Sequence, residues 1–138
     1  MSGPSPDTQE ARAPIESKTQ LIGALSRGTK PKADWRIGTE HEKFPFLTDT
    51  LKPVPYDGPR SIRALLEGLR DRFGWQGVYE NDKIIALSDP KGMGNVSLEP
   101  GGQFELSGAP LQSVHDTCEE VNEHLVQVRE IGDALGIG

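Results

Sequence analysis

NVSLEPGGQFELSG, residues 95–108, contains two runs of alternating polar and apolar residues on either side of a Pro-Gly-Gly turn. Alternation with a period of two is typical of a β-strand with one buried face. The apolar positions are Val96, Leu98, Phe104 and Leu106. The opposite set is Ser97, Glu99, Gln103, Glu105 and Ser107. The stretch therefore predicts a β-hairpin with two glutamates and a glutamine on the face away from the core.

Two further strands are predicted before this hairpin. VYE at 78–80 and KIIALS at 83–88 are rich in strand-forming residues, and the pair Asn81-Asp82 between them is typical of a tight turn. A longer glycine-rich turn follows at residues 89–94. Because consecutive strands joined by short turns pair side by side, the region from Trp75 to Gly108 predicts an antiparallel meander.

RIGTEHEKF, residues 36–44, predicts one more strand, from Arg36 to about Leu47. Pro45 indicates an edge position or a bend, since proline cannot donate to a sheet. Glu40 and Glu42 are two residues apart and share a face, whereas the histidine between them faces the other way. Two carboxylates about 4 Å apart repel by roughly 4 kcal/mol at an effective dielectric near 20. The pair therefore suggests a bound cation.

Two helices precede the meander. The first is predicted at Glu16–Arg27, before Gly28, with an apolar side formed by leucine and isoleucine. The second is predicted to open at YDGPRS, residues 56–61, with Pro59 in its first turn. Its apolar residues recur at helical spacing until Gly74.

A third, long helix is predicted after the hairpin. Its apolar stripe would be Val114, Cys118, Val121, Leu125, Val128, Ile131 and Leu135, with Gly136 at the end. Its outer face would be an acidic, solvated surface formed by Asp116, Glu119, Glu120, Glu123, Glu130 and Asp133. Cys118 is interpreted as a packed thiol on the apolar stripe.

Length and charge limit the class of protein. A chain of 138 residues suits one domain, and a net charge of −6 argues against nucleic acid or an anionic membrane as the main partner. Residues 1–14 lack the features of a secretion signal and are predicted to form a disordered tail. Cys118 is the single cysteine, so no intrachain disulfide can form, and a cytoplasmic location is expected.

The predicted strands bring four carboxylates to one face of the sheet: Glu40, Glu42, Glu99 and Glu105. Oxygen-only ligands suit hard cations, and a Mg²⁺ site commonly takes one or two carboxylates while phosphates and waters complete the shell. The alternative is an ordinary solvated face. His41 faces away from the glutamate pair, and neither His115 nor His124 has an evident partner.

Three stretches in this order resemble the N-terminal part of glutamate–cysteine ligase of the plant and proteobacterial type: WRIGTEHEKF, NDKIIALS and VSLEPGGQFELSGAPLQSVHDTCEEVNEHLVQV. The resemblance runs from about Trp35 to the last residue. It implies an α+β fold, an antiparallel sheet with flanking helices that is the incomplete N-terminal part of a glutamine-synthetase-like catalytic fold. Residues 15–138 would then be the N-terminal part of a truncated catalytic domain.

The resemblance also implies an activity. The family joins the γ-carboxylate of glutamate to the amine of cysteine through a γ-glutamyl phosphate, with ATP as substrate and Mg²⁺ as cofactor, in the first step of glutathione synthesis. It assigns Glu40, Glu42, Glu99 and Glu105 to metal binding and Gln103 to a contact with metal or nucleotide. It assigns no catalytic residue here, because the groups that bind glutamate and cysteine are expected further along the family's chain. We therefore expect little activity from this chain alone.

Two alternatives remain open at the level of sequence. The chain could be a non-catalytic metal-binding or partner-binding domain in which the long helix forms the interface. It could also be a related carboxylate–amine ligase with another acceptor. The oligomeric state is not indicated by any pattern.

Overall fold

The computed structural model describes residues 14–138, so nearly all of the predicted tail lies outside the described residues. The chain divides into two compact units, Met1–Trp35 and Arg36–Gly138. The assignment of 15–138 to one catalytic domain stays a prediction. None of the helices within residues 14–138 is both long and apolar enough to cross a bilayer.

The first unit contains the first predicted helix, α1, at Lys18–Ser26. Ser17 begins it with a reciprocal capping box, in which its hydroxyl accepts from the Gln20 backbone and the Gln20 side chain accepts from the Ser17 backbone. A 3₁₀ turn follows at Lys32–Asp34, and the Trp35 indole donates to the Lys30 carbonyl over 3.0 Å. No residue of α1 is buried within its own unit.

The second unit contains one five-stranded sheet in the order β1-β5-β4-β3-β2. The strands are Glu40–Lys43, Gln76–Glu80, Lys83–Ser88, Asn95–Glu99 and Gln103–Ser107, numbered β1 to β5 along the chain. All neighbouring pairs are antiparallel. The predicted α+β class and meander are confirmed.

The predicted strand from Arg36 to Leu47 is wrong in length, because only Glu40–Lys43 pairs with β5. Before it, the backbone of Ile37 pairs with Leu111 instead. After it, Pro45 has no N–H to donate, and Leu47 pairs with Ile137. The chain therefore leaves the sheet at both ends of a four-residue strand.

The hairpin turns depend on left-handed backbone. Asn81 and Asp82 have φ of 47° and 63°, which is the conformation that a two-residue hairpin requires and that Asn and Asp tolerate. Gly101 and Gly102 have φ of 82° and 81° between β4 and β5, where a side chain would be strained. These turns fix the register, which determines which residues lie opposite each other on neighbouring strands.

Helix α2 spans Ile62–Phe73. The Ser61 hydroxyl caps its start by accepting from the Ala64 backbone, and Gly74 ends it with φ of 79°. The expectation that Pro59 lies in the first turn is wrong, since Pro59 precedes the capping serine. Ile62, Leu65, Leu66 and Leu69 are buried on its inner side.

Helix α3 spans Val114–Leu135, as predicted, between a Ser113–Asp116 capping box and Gly136. The predicted stripe is wrong at its N-terminal end, because Val114 and Cys118 are exposed. Thr117 and His124 are buried instead. Residues 117, 121, 124, 128, 131 and 135 also follow helical spacing, so the helix is turned slightly from the predicted orientation.

The core lies between one face of the sheet and the two helices. Its buried members from the strands are Ile84, Leu87, Val96, Phe104 and Leu106. The buried leucines of α2 and Ile137 pack against them. The apolar residues of the stretch 95–108 thus face the core, as predicted.

Candidate functional site

The face of the sheet opposite the helices carries the predicted acidic residues. In the register of β1 with β5, His41 and Lys43 lie opposite Leu106 and Phe104, so they share the helix side. Glu40 and Glu42 therefore point to the other side, together with Glu105. On β4, Glu99 lies opposite Gln103 and belongs to the same side. The sheet thus brings all four predicted carboxylates and Gln103 onto one face, which we call the acidic face.

The acidic face is ordered in rows across the strands. The central row is Glu42, Glu105 and Ser97. The row on one side is Glu40, Ser107 and Asn95, and the row on the other side contains Gln103 and Glu99. Directly opposite side chains have Cβ atoms about 4.5–5.5 Å apart, so Glu42 and Glu105 form a close pair of like charges.

Glu40 and Glu99 occupy rows that are two steps apart on the acidic face. Alternate residues of a strand are about 6.7 Å apart, so these rows are separated by about 13 Å along the strands. One ion cannot bind carboxylates so placed. The four predicted ligands therefore offer a central pair, Glu42 and Glu105, with one further carboxylate towards each end of the face.

Neutral donors hold both carboxylates of the central pair. The Gln103 side-chain amide donates to Oε2 of Glu42 through a short hydrogen bond. The Ser107 hydroxyl donates to Oε1 of Glu105 over 2.5 Å. Glu105 is only 6% exposed, whereas Glu42 is exposed. None of the ion pairs within residues 14–138 involves a glutamate of the acidic face.

The donor set fits a hard divalent cation in kind. It consists of carboxylate and amide oxygens, which are the ligands that Mg²⁺ prefers, and it contains no sulfur or imidazole. However, no group of three or more His, Cys, Asp or Glu side chains within residues 14–138 is gathered closely enough to hold an ion by itself. The arrangement suits an ion that takes one or two carboxylates here and the rest of its shell from phosphates and water.

A second polar group lies behind the acidic face, on the helix side. The Lys43 ammonium donates to the His41 carbonyl over 2.8 Å and lies 3.3 Å from His41 Nδ1. Burial lowers the pKa of Lys43 to about 8, and the charge of Glu105 offsets part of that shift. Burial and then the Lys43 charge also lower the pKa of His41. Sequence reasoning placed His41 on this side correctly.

His124 of α3 is 2% exposed and stacks on Phe104, with ring centroids 6.4 Å apart. Burial, followed by the charges of Lys43 and His41, lowers its pKa to about 3. Within the described residues neither ring nitrogen has a hydrogen-bond partner. Its helical spacing from Thr117 and Val121 was the only sequence signal that it faces the sheet.

Glu120 departs from the predicted solvated face of α3. Its Oε1 accepts from the backbone N–H of Ala109 over 2.8 Å, and its Oε2 is buried. The carboxylate lies against Gly108, where a side chain would clash with it. This contact ties α3 to the chain that leaves β5.

The structure is thus that of an α+β protein in which helices cover one face of an antiparallel sheet and carboxylate and amide side chains occupy the other. Residues 36–138 match the model of glutamate-cysteine ligase family 2 (GCS2), and the chain belongs to that family.

Named relatives agree with this family. The chain is 52% identical over 136 residues to glutamate–cysteine ligase A, chloroplastic, of Oryza sativa subsp. japonica, covering 97% of this chain and 27% of the relative. It is 52% identical to the chloroplastic glutamate–cysteine ligase of Arabidopsis thaliana and covers 25% of it. The corresponding enzyme of Medicago truncatula is 50% identical, with 26% covered. The chain thus spans about a quarter of the length of the curated relatives it matches.

The expectation of a cytoplasmic location is wrong by this comparison, because these relatives are named as chloroplastic enzymes. A single cysteine indicates a reducing environment, but it does not distinguish one reducing compartment from another.

Proposed function

We propose that this chain contributes a metal-binding part of an ATP-dependent glutamate–cysteine ligase. The proposed reaction joins the γ-carboxylate of glutamate to the amine of cysteine through a γ-glutamyl phosphate. The observation that carries the proposal is the acidic face, on which Glu40, Glu42, Glu99 and Glu105 lie together in a chain of that family.

The proposed role of the four glutamates is to hold Mg²⁺ against the phosphates of ATP. Phosphoryl transfer depends mainly on positioning and on neutralising charge, and bound metal ions supply both. The rows of the acidic face favour more than one ion, with the Glu42–Glu105 pair at the centre. A divalent ion would also remove the repulsion between these two carboxylates.

Gln103 is proposed as a contact to metal or nucleotide beside the central pair. Its amide nitrogen donates to Glu42, which leaves its carbonyl oxygen as the group available to a ligand. The rigid β4–β5 hairpin supports this role, since side chains on strands are positioned more narrowly than side chains on loops.

A binding experiment tests the metal assignment. Mg²⁺ with a non-hydrolysable ATP analogue is titrated into the 138-residue chain by calorimetry, and the same titration is run on Glu99→Gln. Glu119→Gln is the matched control, because Glu119 is an exposed glutamate of α3 on the other side of the sheet. We expect the Glu99 variant to lose most of the binding heat and the control to keep it. Equal binding by all three chains would refute the proposal.

A further inference from the structure

Ser107 differs from the other hydroxyl residue beside Glu105. Both Ser107 and Ser97 lie on the acidic face and both are half-buried. Ser107 is two residues along the same strand and donates its hydroxyl hydrogen to Glu105 Oε1. Ser97 is the direct cross-strand partner of Glu105, yet its side chain makes no hydrogen bond within the described residues.

We propose that Ser107 is a positioning residue, which holds one oxygen of Glu105 so that the other is presented to a divalent cation. This inference rests on the proposed function, in which Glu105 is a metal ligand. Within residues 14–138, the only hydrogen bond to the Glu105 carboxylate comes from Ser107 and occupies Oε1. The second oxygen therefore remains available.

The burial of Glu105 explains why such a donor matters. A carboxylate that is 6% exposed has lost most of its hydration and requires a compensating donor. A hydroxyl supplies that donor without adding a positive charge, which would compete with the cation. Carboxylates that ligate metal ions are commonly hydrogen-bonded in this way, and loss of the partner typically weakens metal binding about 10- to 100-fold.

The neighbouring carboxylate shows the same arrangement. Glu42, directly across from Glu105, accepts from the neutral Gln103 amide at one oxygen. Each member of the central pair is thus held by a neutral donor from β5, and none of the described ion pairs reaches either of them. This pattern maintains the negative charge that attracts a cation.

The test measures Mn²⁺ affinity in the presence of a fixed concentration of a non-hydrolysable ATP analogue, whose phosphates complete the shell, with free Mn²⁺ followed by electron paramagnetic resonance during titration of the 138-residue chain. Ser107→Ala should weaken the affinity about 10- to 100-fold. Ser107→Thr should restore it, because threonine keeps the hydroxyl and suits a strand. Ser97→Ala is the matched control and should bind as the unaltered chain does. Circular dichroism and thermal melting check that each variant folds.

The outcomes separate this inference from the proposed function. If Glu105→Gln abolishes Mn²⁺ binding while Ser107→Ala leaves it unchanged, Ser107 has no positioning role and the metal assignment stands. If Ser107→Thr is as weak as Ser107→Ala, the hydroxyl is not the cause and the inference fails. If Glu105→Gln binds normally, or the unaltered chain binds no more Mn²⁺ than the ATP analogue binds in solution, the metal assignment fails and the inference fails with it.

Discussion

Glu42 and Glu105 lie directly opposite each other on the neighbouring strands β1 and β5, on the face of the sheet that the helices leave uncovered. Like charges in such a cross-strand pair oppose folding. Within residues 14–138, the only hydrogen bonds to the two carboxylates come from two neutral donors, the Gln103 amide and the Ser107 hydroxyl. The sheet therefore keeps two carboxylates together at a cost in stability, which a bound cation would offset.

Replacing Glu42 with Gln should affect stability and metal response in opposite directions. The amide keeps the shape and can still accept from Gln103, but the like-charge contact is lost, so the metal-free chain should gain about 0.2–1 kcal/mol. Thermal melting with and without saturating MgCl₂, each in the presence of a non-hydrolysable ATP analogue, provides the measurement. The unaltered chain and Glu119→Gln should melt higher with Mg²⁺, and the Glu42 variant should respond much less. An undiminished Mg²⁺ response would count against Glu42 as a ligand.

Leu66 of α2 should be far more sensitive to truncation than the apolar residues on the outer side of α3. Leu66 is 0% exposed, so Leu66→Ala should lower the free energy of unfolding by about 2–5 kcal/mol. Val126 is 62% exposed, and Val126→Ala should change the free energy of unfolding by no more than about 0.5 kcal/mol. Leu125 is half-buried and should fall between them. Urea unfolding measures all three, and similar values would contradict the described packing.

His124 should make the stability depend on pH. In the folded protein its pKa is lowered to about 3, whereas in the unfolded chain it returns to about 6.5. Between these values the unfolded state binds more protons, so stability is complete above pH 6.5 and declines as the pH falls towards 3. Urea unfolding between these limits should show a slope that His124→Leu reduces. The control His115→Leu, at an exposed position of the same helix, should keep it.

Assayed alone, the chain should not produce γ-glutamylcysteine at an appreciable rate. Ligation requires glutamate, the γ-phosphate and an amine held together, and such proximity contributes up to about 7–11 kcal/mol. The site-facing positions of β1, β4 and β5 carry only acidic and neutral side chains, and Lys43, the one cation on these strands, faces the helices. ADP release with glutamate, cysteine and Mg²⁺-ATP measures this. Turnover within tenfold of a complete relative would contradict the prediction.

The local elements of this protein follow from its sequence. Period-two alternation across residues 95–108 separates Phe104 and Leu106 from Glu105, because successive side chains of a strand point to opposite faces. Ser61 and Gly74 mark the ends of α2 through local hydrogen bonds, one from the Ala64 N–H to the Ser61 hydroxyl and one from the Gly74 N–H to the Arg70 carbonyl. These features depend on residues within a few positions of one another. The shared face of Glu99 and Glu105 also follows from the β4–β5 hairpin, whereas Glu40 and Glu42 join that face because β1 pairs with the distant strand β5.

Other features depended on contacts between distant parts of the chain. Whether α3 buries Cys118 or Thr117 cannot be read from spacing, since both stripes are helical and the contact with the sheet selects one. The length of β1 was decided by Ile37 and Leu47, which find partners outside the sheet. The rows that set Glu42 against Glu105, and Ser107 beside it, required the register of strands more than sixty residues apart in sequence. Tertiary pairing made these choices because long-range contacts select among local structures that the chain alone favours about equally.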